Sequence, residues 1–225
     1  EPAPALVLRY GSPSELVSSF ARSTGLPSLP PDWALGPWLS ANRWDRRSVL
    51  MEQVGIMERL GIPATVVVLE AWSDEGGFFA WNDAVNRAGP KGNASSGYDY
   101  PVDGRWPDPA GMIAELGRRG LRLVLWQAPV CKRLEDCPWQ AREREALALV
   151  EAEAGDFLVK RADGSTYTIP EGRWFGGSSI PDLTNPAARK WYFSKRCYLL
   201  DQGVAGFKTD GGEFFVKLRG AASGI

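Results

Sequence analysis

The residues best suited to chemistry lie near the end of the chain, in Val204-Ala-Gly-Phe-Lys208-Thr-Asp210-Gly-Gly-Glu213-Phe-Phe215. Gly206 to Thr209 has the composition of a short buried β-strand. Its C-terminal end delivers Lys208, Asp210 and two glycines, and Glu213 follows three residues after the aspartate. In parallel α/β folds the side chains at the C-terminal ends of strands line the ligand crevice, and a glycine pair lets backbone and substrate approach closely. A carboxylate at that place suggests catalysis. An ordinary strand-to-loop turn is the competing reading, because Asp and Gly are also the standard turn residues.

The rest of the composition narrows what chemistry is open. There is no histidine in the 225 residues. That removes the usual general base, the Ser-His nucleophile pair and the commonest zinc ligand, and leaves acid–base work to carboxylates. A net charge of -1, from 26 basic and 27 acidic residues, provides no field to draw in DNA, RNA or an anionic membrane, so neither nucleic acid nor membrane is expected as a partner. Ten tryptophans are many for this length. Their flat faces suit sugar rings, although Trp also fills cores, and Trp33, Trp139 and Trp191 fit that plainer use. The three cysteines exclude a complete disulfide framework. Cys131 and Cys137 could pair within a short loop, and Cys197 falls on a helix. No apolar run approaches the length of a membrane span, and the first residues, Glu1-Pro-Ala-Pro, are neither an initiator Met nor a signal peptide, so the start reads as processed or excised. Asn93-Ala-Ser95 fits the glycosylation triplet, which says little without a known compartment.

The elements that must position Lys208 and Asp210 alternate between strand and helix. The Pro-rich run 27–31 sets a boundary between a leading segment, 1–31, and a main domain, 32–225. The leading segment carries a strand-like Ala5–Tyr10 and a helix from Ser12-Pro13 to Thr24. In the main domain, Trp33 to Leu39 reads as a strand and Asp45 to Leu60 as a helix closed by Gly61. Ala64 to Leu69 reads as a strand buried on both faces. A long irregular stretch, Glu70 to Trp106, has the length of functional loops. Asp108-Pro109 then caps a helix to Arg119, and Leu121 to Trp126 follows as a strand. A second excursion holds Cys131 and Cys137, a helix from Arg142 to Ala154, a hairpin from Phe157 to Thr168 with an Asp163-Gly164 turn, and an extended Ile180 to Leu183. The last helix runs from Pro186, capped by Asn185, to about Gly203.

Four parallel strands joined in this way form an α/β fold, the first half of a (β/α)8 TIM barrel. Only sixteen residues remain after Thr209, so the chain reads as a fragment of a larger one. A doubly wound sheet is the alternative, but no Gly-rich phosphate loop follows any strand. In a half-barrel the strand ends bring together Trp38, Glu70, Trp72, Trp126, Lys208 and Asp210. Two carboxylates, a cation and three aromatics match a polyhydroxylated ligand: carboxylates grip hydroxyl pairs, aromatics cover the ring face, and a carboxylate can stabilise an oxocarbenium-like transition state. Each residue alone also has a plain structural use, as a loop charge, a core filler or a counter-ion.

Phe207-Lys-Thr-Asp-Gly-Gly-Glu213 resembles the nucleophile motif of glycoside hydrolase family 31, in the F-K-T-D-x-G-E form of its α-xylosidase-like members. Leu29-Pro-Pro-Asp-Trp-Ala-Leu-Gly36 is similar to the segment that enters that family's barrel, and Trp106-Pro-Asp-Pro-Ala-Gly-Met112 to its F-P-D-P-x-x-M helix start. Trp174, eight residues before Asp182, resembles the W-P-G…P-D-F segment, and Asp182 to Pro186 with Lys190-Trp-Tyr192 fits as well. The resemblance implies an exo-acting, retaining α-glycosidase of the α-glucosidase or α-xylosidase type, or a transglycosylase. An inactive carbohydrate-binding relative is a further alternative. It implies Asp210 as nucleophile, Lys208 and Trp126 as sugar contacts and Trp174 as a wall of the pocket. It also implies an α-glycoside substrate, no metal or organic cofactor, and an acid/base about 5–5.5 Å from the nucleophile, supplied by the remainder of the catalytic domain. Glu70 departs from the pattern, standing where the family usually has an aspartate that grips sugar hydroxyls.

Overall fold

The computed structural model describes residues 8–86 and 97–211. The chain divides into two compact units, residues 1–35 and 36–225. In the first, α1 (Pro13–Thr24) begins at a capping box in which the Ser12 N–H donates to Glu15 Oε2 at 2.9 Å, with proline at the first helical position. Of the strand expected over residues 5–10, the first three lie outside the described residues and Leu8 to Tyr10 form none. Asp32–Leu35 is a single 3-10 turn, closed by the Ala34 N–H on Pro31 O at 2.9 Å, where a strand was expected.

The second unit runs β1 (Trp38–Ala41), α2 (Arg47–Arg59), β2 (Val66–Leu69), β3 (Val85–Asn86), β4 (Tyr98–Asp99), α3 (Pro109–Arg118) and β5 (Arg122–Gln127). It continues through α4 (Trp139–Ala154), α5 (Pro186–Ser194) and α6 (Cys197–Asp201) to β6 (Gly206–Thr209). β1, β2, β5 and β6 form one sheet in that spatial order, every pair parallel. Each new strand adds to the same side of the last, as in a TIM barrel; a doubly wound sheet reverses its order at a switch point. β2 is buried at all four positions and β5 at five of its six, which suits strands covered on both faces. The long connection after β2 carries the small antiparallel pair β3–β4, and Asn93 lies outside the described residues. The Asp163-Gly164 turn forms as expected, with the Arg161 N–H donating to Ser165 O at 2.8 Å.

One expectation gives way to side-chain chemistry. The last long helix is broken between α5 and α6, because the Arg196 guanidinium itself donates to Tyr192 O (Nη1, 2.9 Å), the carbonyl that a continuous helix would bond through the Arg196 backbone. That backbone N–H turns to Phe193 O instead, at 2.9 Å. Cys131 and Cys137 are free thiols, and Cys197 is free as well.

A carboxylate is buried in the second unit: Glu145 on α4 is 6 % exposed and lies 3.5 Å from Arg144, which pairs with Asp74. Burial pushes the Glu145 carboxyl up to about 7, against the pull of Arg144. A group whose folded pKa is raised stabilises the fold fully below its unfolded pKa, and that contribution is lost as pH rises through about 7. Thermal unfolding of the intact protein is therefore expected to move to higher temperature as pH falls from about 8 to about 5.5. Glu145→Gln should flatten that segment of the profile; a variant profile parallel to wild type contradicts the assignment.

Candidate active site

The parallel register sets Trp126 beside Lys208 and Gln127 beside Thr209. Asp210 extends the ladder by one bond, its N–H donating to Gln127 O at 2.9 Å. Its carboxylate then receives two hydrogen bonds: the Trp126 indole Nε1 donates to Oδ2 at 3.1 Å, and the Gly211 N–H donates to Oδ1 at 2.9 Å. The indole first, then the Gly211 N–H and, more weakly, the Lys208 ammonium hold the carboxyl below the usual aspartate range, with desolvation opposing. Gly211 sits at φ 75, and a Cβ there would stand 3.0 Å from Cζ3 of Trp174, so the residue after the carboxylate must be glycine for both reasons.

Lys208 forms its ion pair with Glu70, Nζ to Oε1 at 3.5 Å, and the same Glu70 oxygen accepts from Ser40 Oγ at 2.5 Å. The C-terminal ends of β1, β2, β5 and β6 thus place a hydroxyl, a carboxylate, an indole, an ammonium and a second carboxylate along one rim. Such a set can donate to and accept from several hydroxyl groups of one ligand.

Trp174 joins this group through rings: its centroid lies 5.7 Å from that of Trp126 and 4.9 Å from that of Phe175. Phe78 closes the circle, 5.3 Å from Trp126 and 6.0 Å from Phe175. Trp174 remains 45 % exposed, so it can present a face to a ligand while Phe78 is wholly buried.

Two sequence-derived site residues are not brought to the rim. Trp38 is the first residue of β1, paired with Val66, three residues and about 10 Å short of the C-terminal end. The strand starts later than the sequence pattern suggested, because the preceding segment is a 3-10 turn followed by Gly36-Pro37. Trp72 is fully buried against Trp81, and its indole Nε1 donates to Trp126 O at 2.8 Å. It supports the strand that carries Trp126 and has no surface to offer a ligand. Glu213 lies outside the described residues.

The sequence reading missed Ser40, Phe78, Phe175 and the buried network behind β5. In that network Gln127 Oε1 accepts from Tyr192 OH at 3.2 Å and Arg196 Nε at 3.0 Å, while its Nε2 donates to Thr209 Oγ1 at 3.0 Å. Ser40 and Gln127 were recoverable as polar residues at predicted strand ends; nothing in the pattern marked Phe78 or Phe175.

Residues 27–222 match the model of the glycosyl hydrolases family 31 TIM-barrel domain. Over 208 residues the chain is 40% identical to the isomaltosyltransferase of Sporosarcina globispora, covering 91% of this chain and 19% of that protein. It is 36% identical over 216 residues to the 1,3-alpha-isomaltosidase of Kribbella flavida, covering 95% of this chain and 29% of that one. The cycloalternan-degrading enzyme from Trueperella pyogenes, in complex with covalent intermediate, superposes with a TM-score of 0.78 at 41% identity, over 90% of this chain and 27% of that one. The chain therefore spans between 19% and 29% of the length of these relatives.

Removing the indole donor tests the electrostatics of the rim. In Trp126→Phe the Asp210 carboxyl loses its principal hydrogen bond, so its pKa rises and the acid limb of the activity–pH profile moves to higher pH. Turnover at neutral pH should fall by about tenfold, the low end for a hydrogen bond to charge because Asp210 is open to solvent. An acid limb at the wild-type position contradicts this assignment.

Proposed function

Because the chain belongs to family 31 of the glycosyl hydrolases, we propose that it supplies the nucleophile half of a retaining α-glycoside-processing site, with Asp210 as the nucleophile. The carrying observation is the state of that carboxylate. It stands at the C-terminal end of β6, held ionised by the Trp126 indole and the Gly211 N–H, with a glycine and the exposed face of Trp174 beside it.

Asp210 attacks the anomeric carbon and the glycosidic C–O bond breaks, leaving a glycosyl ester on the protein. A carboxylic acid from the remainder of the catalytic domain gives its proton to the departing oxygen. As a carboxylate it then takes a proton from the incoming water or sugar hydroxyl, which displaces Asp210. The indole and amide donors steady the carboxylate when it is free, and so favour its departure in the second step. Lys208 donates to, and Glu70 accepts from, hydroxyls of the bound sugar, with Ser40 fixing the Glu70 side chain. Trp174 covers the apolar face of the ring.

The substrate we propose is an α-linked gluco-oligosaccharide from which an isomaltosyl unit is taken. The support is the similarity to the Sporosarcina isomaltosyltransferase and the Kribbella 1,3-alpha-isomaltosidase across nearly the whole chain. The first of these names favours a second outcome, transfer of the unit to a sugar hydroxyl in place of water; both outcomes share the glycosyl-enzyme.

Early-time proton NMR of the intact protein acting on an oligosaccharide with an α-1,3-linked isomaltosyl end is expected to show isomaltose, or an isomaltosyl transfer product, with the α configuration. Asp210→Asn should lower that turnover by about four orders of magnitude or more. A β-configured first product, or release of single glucose units only, contradicts the reading.

A further inference from the structure

The turn that carries Phe78 lies directly on buried charge. Asp74 Oδ1 accepts from the Gly76 N–H at 3.2 Å, Glu145 accepts from the Gly77 N–H, and Arg196 Nη2 donates to Gly77 O at 2.5 Å. A Cβ on Gly76 would stand 2.6 Å from the Glu145 carboxyl carbon, and one on Gly77 would stand 2.4 Å from the Phe79 ring. No side chain fits at either position. Beyond them, the Tyr198 hydroxyl donates to Phe79 O at 2.8 Å. The turn is thus clamped on both sides of Phe78 by groups from α4, α6 and the break between α5 and α6.

Phe78 itself has φ 55 and no exposed surface. A bulky aromatic residue in the left-handed region is a rare outlier, and such conformations persist where the surroundings over-determine them, commonly beside functional sites. Phe175 shows the same feature, with φ 58. The two phenylalanines meet at 77° interplanar, and Phe78 meets the Trp126 indole at 75°, the edge-to-face geometry that aromatic pairs favour. One ring therefore fixes the tilt of the indole that donates to Asp210, and also braces the residue adjoining Trp174.

We infer that Phe78 is a positioning residue for the nucleophile, acting through Trp126: the clamped turn presses Phe78 against the indole and so aims its N–H at Asp210 Oδ2. This rests on the reading of Asp210 as nucleophile. A ring that only filled space would affect folding and leave the nucleophile's titration untouched.

The test is a double-mutant cycle in the intact protein. Phe78→Leu is expected to lower kcat/KM by about tenfold, mainly through kcat with KM within about threefold, since a small misplacement near the reacting atoms is enough. It should also move the acid limb to higher pH, in the direction that Trp126→Phe moves it. In the Trp126→Phe background, Phe78→Leu should move the limb no further, because the donor it aims is already gone. If the leucine variant does not accumulate, Phe78→Met fills most of the same volume with a flexible side chain and carries the same expectation. A limb and kcat at wild-type values in the single variant, or a full second shift in the Trp126→Phe background, would overturn the inference. The Trp126→Phe protein separates the two failures: if its own limb does not move, the reading of Asp210 fails; if it moves and Phe78→Leu has no effect, only the role of Phe78 fails.

Discussion

The pairing of β5 with β6 is the constraint on which the site depends. Those strands run parallel with Trp126 opposite Lys208, and the ladder continues through the Asp210 N–H to Gln127 O. Side chains alternate along a strand, so a slip of one residue would send Lys208 and Asp210 to the other face and part the indole from its carboxylate. The Lys208–Glu70 ion pair and the Trp126–Asp210 hydrogen bond both presuppose that register.

The register is secured from behind by polar groups rather than by apolar packing alone. Gln127, the last residue of β5, is bound on three sides by Thr209, Tyr192 and Arg196. Arg196 in turn reaches Gly77 O and packs over the Tyr192 ring at 3.5 Å. Burial holds its guanidinium below the usual arginine range, yet its donors meet carbonyl and amide oxygens, which is how a buried charge is tolerated. The same residue ends α5, locks the strand end and holds the turn beneath Phe78. A loss there would be felt in all three places at once.

Much of this was legible in the chain and some was not. The β-branched run ending at Leu69 and the Lys-Thr-Asp-Gly-Gly at 208–212 fixed two strands and the end from which a site would open, because buried parallel strands and strand-end glycines leave local signatures. Trp38 was placed at the wrong end of β1, since proline and glycine spacing could not tell a 3-10 turn from the first residues of a strand. Trp72 looked like a surface for sugar because exposure is not written in residue type; its burial follows from the fold of the 70–82 segment. The ring formed by Phe78, Trp126, Trp174 and Phe175 joins segments up to 97 positions apart. No local pattern reports contacts of that kind.

If Asp210 is the nucleophile, that one carboxylate becomes covalently bonded to the sugar. The most direct measurement is mass spectrometry of peptides from the intact protein after treatment with a 5-fluoro-α-glycosyl fluoride, which slows breakdown of the glycosyl ester more than its formation. A single added glycosyl unit on the peptide holding Lys208 to Gly211, assigned by fragmentation to Asp210, is the expected result. A label on any other residue, or turnover of the reagent with no labelled peptide, would contradict it.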